Sequence, residues 1–442
     1  MTEEKDLGLD PGGEFRRRDL IVKAGQGSFL LAAGGLLAAC GVQSNSGGSS
    51  SGTIKIGFVS PVTGPAAGFG EGDSFVIGLV EEALKGGLEI GGKEYNVEII
   101  QKDGESSPQR SGQVANELIN SEEVDIMLTT STPETTNPVA DACEAAHVPC
   151  LATTVPWEAF YFGRGAEPGK PSPFKYTYVF CFGTEDFATS YLAMWNQLKT
   201  NKKVGALWPN DADGNAIRES LGPLLEKGGY AVVDPGAFPD GLNDFSSQIS
   251  KFKAEDCQII NSFALPPDFA TFWRQAAQQG FRPIIAQIAK TGLFPSQVEA
   301  LGNQGPNLAT AAYWTPTFPY KSIVTKQSSQ ELADAYTGKT GKQWNQQVGA
   351  SMALLDGGIE MLKASPNPKD HEKTAKALSK LSYTSLCGPV NFKTGPVPNV
   401  SDTPIISAQW VKATSGEFPL DLIIVDNADD PRVPVAAKLK PY

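Results

Sequence analysis

From Thr53 onward the chain alternates short apolar runs with longer stretches whose apolar residues recur at helical spacing. "TIKIGFVS" (Thr53–Ser60) predicts a strand, and 73–85 a helix with Phe75, Ile77, Leu79 and Leu84 among its apolar positions. Strands are predicted over 95–103, 124–130 and 149–154, and helices over 107–121 and 135–146. A stretch rich in Pro, Gly and aromatics (156–173) interrupts the pattern, which then restarts. Helices at 186–199, 216–229, 244–255 and 268–280 alternate with strands at 203–208, 231–238, 257–264 and 282–289. Helical spacing returns at 329–336 and 348–362, and the chain closes on the β-like runs "PIISAQWVK" and "LDLIIVD". Strands alternating with helices of this length predict βαβ units, hence parallel sheets with helices on both faces.

The segment before Thr53 has a different grammar. Arg16, Arg17 and Arg18 precede a modest apolar run from Phe29 to Ala39, and Gly25, Gln26, Gly27 and Ser28 break it too early for a membrane span. A charged start, a short apolar middle and a small-residue junction predict an export signal over 1–39. Arg17-Arg18-Asp19-Leu20 resembles a twin-arginine signal, and Leu37-Ala38-Ala39-Cys40 resembles a lipobox, whose cysteine is lipidated at the new N-terminus. Acyl chains on Cys40 would anchor the chain to the outer face of the cytoplasmic membrane. The Ser/Gly-rich stretch to Gly52 would act as a flexible tether over 40–52, reaching about 5–6 Å times the square root of its length.

Removing the leader leaves a chain well above the roughly 250–300 residues at which one core stops growing, so two lobes are expected. A net charge of −12 and a pI near 4.9 leave no basic stripe for nucleic acid. Of six cysteines, one is assigned to lipid. In an oxidising compartment Cys143 and Cys150, across a short helix-to-strand turn, are expected to pair. Cys181 and Cys387 form a weaker candidate pair, and Cys257 reads as a buried thiol.

Catalytic machinery is hard to find. The two histidines, His147 and His371, share no helix face, and no Cys/His cluster has zinc-ligand spacing. "GFGEG" lies eight residues beyond its strand and places Glu71 where a pyrophosphate would sit, against a nucleotide site. No metal or cofactor is therefore expected. The loops after the strands instead carry hydroxyls beside aromatics: Thr63 with Phe69; Thr129, Thr130, Ser131 and Thr132; Thr153 and Thr154 with Trp157. Such loops suit an anionic or zwitterionic solute, or equally the N-caps of the helices that follow.

"IKIGFVSPVTGPAAGFGEGDSFVIGL", "LTTSTPETTNPVADACEAAHVPCLATT" and "GLNDFSSQISKFKAEDCQIINSF" resemble the leucine/isoleucine/valine-type solute-binding proteins, receptors of ATP-driven importers. The resemblance spans nearly all of the chain from Thr53. It implies a type I periplasmic-binding fold of two α/β lobes on a hinge of three crossovers, lobe 1 being 53–180 plus 314–385 and lobe 2 being 181–313 plus 386–442. It also implies a monomer that binds a small organic solute and meets permease and ATPase subunits, with no catalysis. Carried onto this sequence, Phe69 matches an aromatic that packs on the solute, and Thr130 and Thr132 match the loop that receives its carboxylate. Thr153 and Thr154 match the next loop, and Asp213 stands where the family often has a tyrosine before glycine. Lys290 stands where amino-acid binders offer an acid for the ammonium. A lysine there favours an anion, or is a solvated loop residue. Trp157 and Trp314 add aromatic surface or hinge packing. The solute is thus an amino acid, an amide or an aromatic or other organic carboxylate. The rivals are an exported hydrolase with an acid pair in its cleft and a ligand-sensing subunit of a signalling system.

Overall fold

A computed structural model describes residues 51–442. The leader, Cys40 and most of the tether lie outside them. The first strands are β1 (Thr53–Ser60), β2 (Leu88–Ile90), β3 (Lys93–Asp103), β4 (Ile126–Thr130), β5 (Cys150–Thr153) and β6 (Thr177–Phe180). Among them run helices α1 (Asp73–Ala83), α2 (Pro108–Asn120), α3 (Pro133–Ala146) and the short α4 (Trp157–Tyr161). The chain then passes through α5 (Thr184–Trp195), β7 (Lys203–Leu207), α6 (Ala212–Lys227), β8 (Ala231–Val233), α7 (Ser246–Ala254) and β9 (Ile259–Ser262). It continues with α8 (Pro266–Gln278), β10 (Ile285–Ile288), α9 (Pro295–Glu299) and β11 (Ala309–Ala312). Helices α10 (Ser329–Thr340), α11 (Gln346–Ala364) and α12 (His371–Leu378) follow, then a hairpin of β12 (Ser382–Ser385) and β13 (Gly388–Asn391). The last strands are β14 (Val400–Ser401), β15 (Ile406–Lys412) and β16 (Leu420–Asp426).

Two seven-stranded sheets result, in the orders β14-β6-β5-β4-β1-β3-β2 and β16-β15-β11-β10-β9-β7-β8. Both are mostly parallel; β2 pairs antiparallel with β3, and β15 antiparallel with β11 and β16. Central strands β4, β5, β9 and β10 are buried at every residue, as a parallel sheet covered on both faces requires. The chain passes between the sheets three times, at 181–183, 313–328 and 402–405. The third passage follows β14, which pairs with β6, so part of the segment from 386 onward builds the first sheet.

Local chemistry fixes the helix ends. Ser107 caps α2 by accepting from Arg110 N (3.3 Å), with Pro108 at the first helical position. Helix α10 opens with a Ser328/Glu331 capping box and stops at Gly341, whose φ of 68° suits glycine. Helix α11 is buried along almost its whole length and packs on β4, β5 and α1. Its Gly349 lies flat on Trp314: a Cβ there would come within 2.1 Å of the indole.

Several elements lack a clear sequence signal, among them β2, β6, β11 and α12. β2 and β6 are short strands beside turns, β11 is built of Ala and Thr, and α12 buries only Thr374, Ala375 and Leu378 within a charged run. The expected Cys143–Cys150 bridge is corrected: both are free, fully buried thiols. His147, left-handed at φ 59°, turns the chain so that both sulfurs face the interior, where they pack as small apolar groups. Cys181, Cys257 and Cys387 are free and buried as well.

Candidate functional site

The carboxyl ends of both sheets face one cavity. From the first sheet come the loops after β4 and β5, where Ser131 (φ 142°) and Thr154 (φ 70°) hold backbone conformations unusual for residues with a Cβ. Such strain persists where surrounding contacts enforce it, commonly at binding sites. Ser131, Thr132 and Thr154 line the cavity with Phe69 from the loop after β1. The Ser131 hydroxyl is buried and has no hydrogen-bond partner.

Behind these loops runs a buried polar chain. Asp73 accepts from Ser60 Oγ (2.5 Å) and Ser351 Oγ (2.6 Å). Gln347 Nε2 donates to Ser351 Oγ (3.2 Å) and Thr130 Oγ1 (2.8 Å), and Thr130 meets the Thr154 hydroxyl at 2.8 Å. Gln347 Oε1 accepts from Tyr313 OH (3.2 Å) and Thr154 Oγ1 (3.4 Å), both of which border the cavity. Burial, only partly offset by the two serine hydroxyls, pushes the Asp73 carboxyl up to about 6.

The second sheet contributes charge. Lys290, after β10, is 5% exposed, and its Nζ donates to Asp211 Oδ2 (2.9 Å) and Asp213 Oδ2 (3.1 Å). Asp211 also caps α6, accepting from Gly214 N at 2.6 Å. Burial works against the Lys290 ammonium, but Asp211 and Asp213, helped by Glu134, outweigh it and hold the lysine charged. Burial pushes Asp213 up to about 6 despite the lysine, and its Oδ1 has no hydrogen-bond partner. Lys290 is therefore neither a solvated loop residue nor a free cation: two carboxylates already answer its charge.

Five rings surround the remaining space: Phe69, Phe182, Phe187, Phe263 and Tyr313. Phe182 stacks near-parallel on Tyr313 (centroids 5.7 Å apart), and Phe187 meets Phe263 edge to face at 5.4 Å. A second pocket, sharing Thr132 with the first, is lined by Glu134, Asp211 and Asp240. Among the described residues no group of three or more His, Cys, Asp or Glu side chains could hold a metal ion.

Of the residues singled out from sequence, Phe69, Ser131, Thr132, Thr154, Asp213 and Lys290 line the cavity. Thr63 is exposed and bonded to Asp103 (2.6 Å), which fixes the loop leading to Phe69. Thr130 faces Gln347, and the Thr153 hydroxyl donates to the Phe180 carbonyl (2.7 Å). Trp157 packs on Phe162. Trp314 is fully buried, donates to Ser329 Oγ (3.1 Å) and packs against Trp344, so it belongs to the passage between the sheets. Sequence reasoning missed Phe182, Phe187, Phe263, Tyr313, Asp211 and Gln347. Only Gln347 carries a legible signal, a glutamine pair opening an otherwise apolar helix.

Residues 53–413 match the family model described as periplasmic binding protein. Among solved structures, a leucine-binding protein from Thermotoga maritima shares 19% identity, with 86% of this chain and 99% of that one covered, at a TM-score of 0.68. A solute-binding protein of an ABC transporter from Rhodopseudomonas palustris BisB5, in complex with 3,4-dihydroxybenzoic acid, shares 20% identity (85% and 98% covered, TM-score 0.64). An isoleucine complex of a branched-chain amino-acid transporter's binding protein from Streptococcus pneumoniae shares 17% (88% and 100% covered, TM-score 0.62). With a match across most of its length and two sheets opening on one cavity, the chain belongs to the periplasmic binding protein family.

Proposed function

We propose that the chain is the extracytoplasmic receptor of an ABC importer, held to the membrane by lipid on Cys40, which captures a small organic solute between its lobes and passes it to the permease. The observation that carries this reading is an aromatic cavity at the carboxyl ends of both sheets, containing an unpartnered buried hydroxyl and an unpartnered buried carboxylate oxygen. Capture needs no chemistry, only a closed state that binds the solute more tightly than the open one.

Within the expected solute classes, the charges favour one that bears an amine. Lys290 is neutralised by its aspartates, whereas Asp213 Oδ1 offers an acceptor that a cationic nitrogen satisfies. The unpartnered Ser131 hydroxyl and its neighbour Thr132 suit a carboxylate or hydroxyl. An amino acid with an apolar or aromatic side chain meets all three surfaces. The aromatic lining supports a second reading, a ring carboxylate without an amine, as in the dihydroxybenzoate complex of the R. palustris relative.

The test is thermal unfolding of the chain from residue 41 against amino acids, amides and aromatic carboxylates. A ligand at 100 times its Kd stabilises the native state by about 2.7 kcal/mol. A shift with amine-bearing solutes that disappears in Asp213→Asn supports the first reading. A shift with ring carboxylates that survives the substitution supports the second, and consumption of the solute would replace both with a hydrolase.

A further inference from the structure

Glu134 is the second residue of the 14-residue helix α3, so its carboxylate lies at the positive end of its own helix. The same carboxylate reaches a helix of the other sheet. Its Oε1 accepts from Ala212 N (2.8 Å) and Asp213 N (3.4 Å), the first two N–H groups of the 16-residue helix α6. Two helix N-termini therefore converge on one carboxylate where the halves of the molecule meet. Without an anion between them, their positive ends would repel, and the two N–H groups of α6 would lose their acceptor. Asp211 already caps Gly214 N but leaves those two N–H groups to Glu134.

We propose that Glu134 is a closure latch: an acidic side chain of the first lobe that caps a helix of the second only when the lobes are shut. Glu134 is absent from the cavity lining, so it acts foremost on the closed-to-open ratio. Closure is reinforced nearby by Phe69 against Phe294, edge to face at 5.1 Å, which supplies apolar contact but no charge. Glu134 thus positions the lobes, and its loss lowers affinity for every solute by a similar factor. The inference rests on the receptor reading only in requiring that the lobes hinge.

The test measures the distance between spin labels on the solute-free chain from residue 41, placed at the exposed positions Gln109 and Asn243, in Gln109→Cys/Asn243→Cys. With Glu134 intact, a short-distance population is expected. Glu134→Ala is expected to lower the short-to-long ratio about fivefold, the size of one lost helix cap. Glu134→Gln, which keeps an accepting oxygen for Ala212 N but not the charge, restores only part of it. This rescue separates the latch from a general loss of fold, as does an unchanged melting profile. Equal short populations in all three proteins overturn the latch, and so does a long distance alone with Glu134 intact. Neither result touches the receptor reading, which is judged by solute binding.

Discussion

Replacing Asp213 by Asn preserves the shape of the cavity and removes one charge. Loss of a buried charge partner typically weakens an interaction by about 2–5 kcal/mol, so affinity for an amine-bearing solute should fall at least about 30-fold by calorimetry. Acid should act in the same direction. With the Asp213 carboxyl near 6, protons compete with the ammonium below that pH, and affinity should drop by up to about tenfold per unit. Lys290 has a different role. Lys290→Met leaves Asp211 and Asp213 buried without their counterion, and urea unfolding should show a loss of about 3–5 kcal/mol. If Lys290 served the solute instead, the variant would keep its stability and lose only anion binding. The hydroxyl loops and Phe69 were legible in the sequence because strand-end position alone marks them. The charge of the site was not, because Lys290, Asp211 and Asp213 meet only when the loop after β10 folds against the start of α6.

Among the elements, α11 does more than cover the first sheet. Its opening turn carries Gln347, which orients Thr130, Thr154 and Tyr313, and Gly349, on which Trp314 lies flat. Gly349→Ala forces a methyl into the indole and should destabilise by about 1–3 kcal/mol through overpacking, despite alanine's better helix propensity. A neutral or stabilising result would mean that Trp314 is free to move. The long periodic helices and the fully apolar strands were readable from pattern alone, since burial dictates their composition. β11 and α12 were not: alanine-rich and charged runs take their structure from the neighbours they pack on.

At the scale of the whole molecule, buried carboxyls set the response to pH. Asp73, Asp213, Asp356 and Asp429 are pushed up to about 6 and Asp186 to about 7, in each case foremost by burial. Folding therefore takes up protons between the ordinary carboxylate range near 4 and these values, and stability must fall as pH rises through that window. Asp103, Asp244, Glu255, Glu331, Asp370 and Asp430, held low by hydrogen bonds, act below the ordinary carboxylate range and so leave this window untouched. The melting temperature at pH 5 should exceed that at pH 7.5 by a few degrees in differential scanning calorimetry. A higher value at pH 7.5 would mean that these acids are hydrated in solution.

The most direct test of the account is isothermal calorimetry with three matched probes: phenylalanine, phenethylamine, which lacks its carboxylate, and 3-phenylpropionate, which lacks its amine. Wild type should bind the amine-bearing probes at one site per chain and leave them chemically unchanged, with 3-phenylpropionate the weakest, and Asp213→Asn should abolish that preference. Tightest binding of 3-phenylpropionate, undiminished in Asp213→Asn, would contradict the assignment of the cavity to an amine-bearing solute.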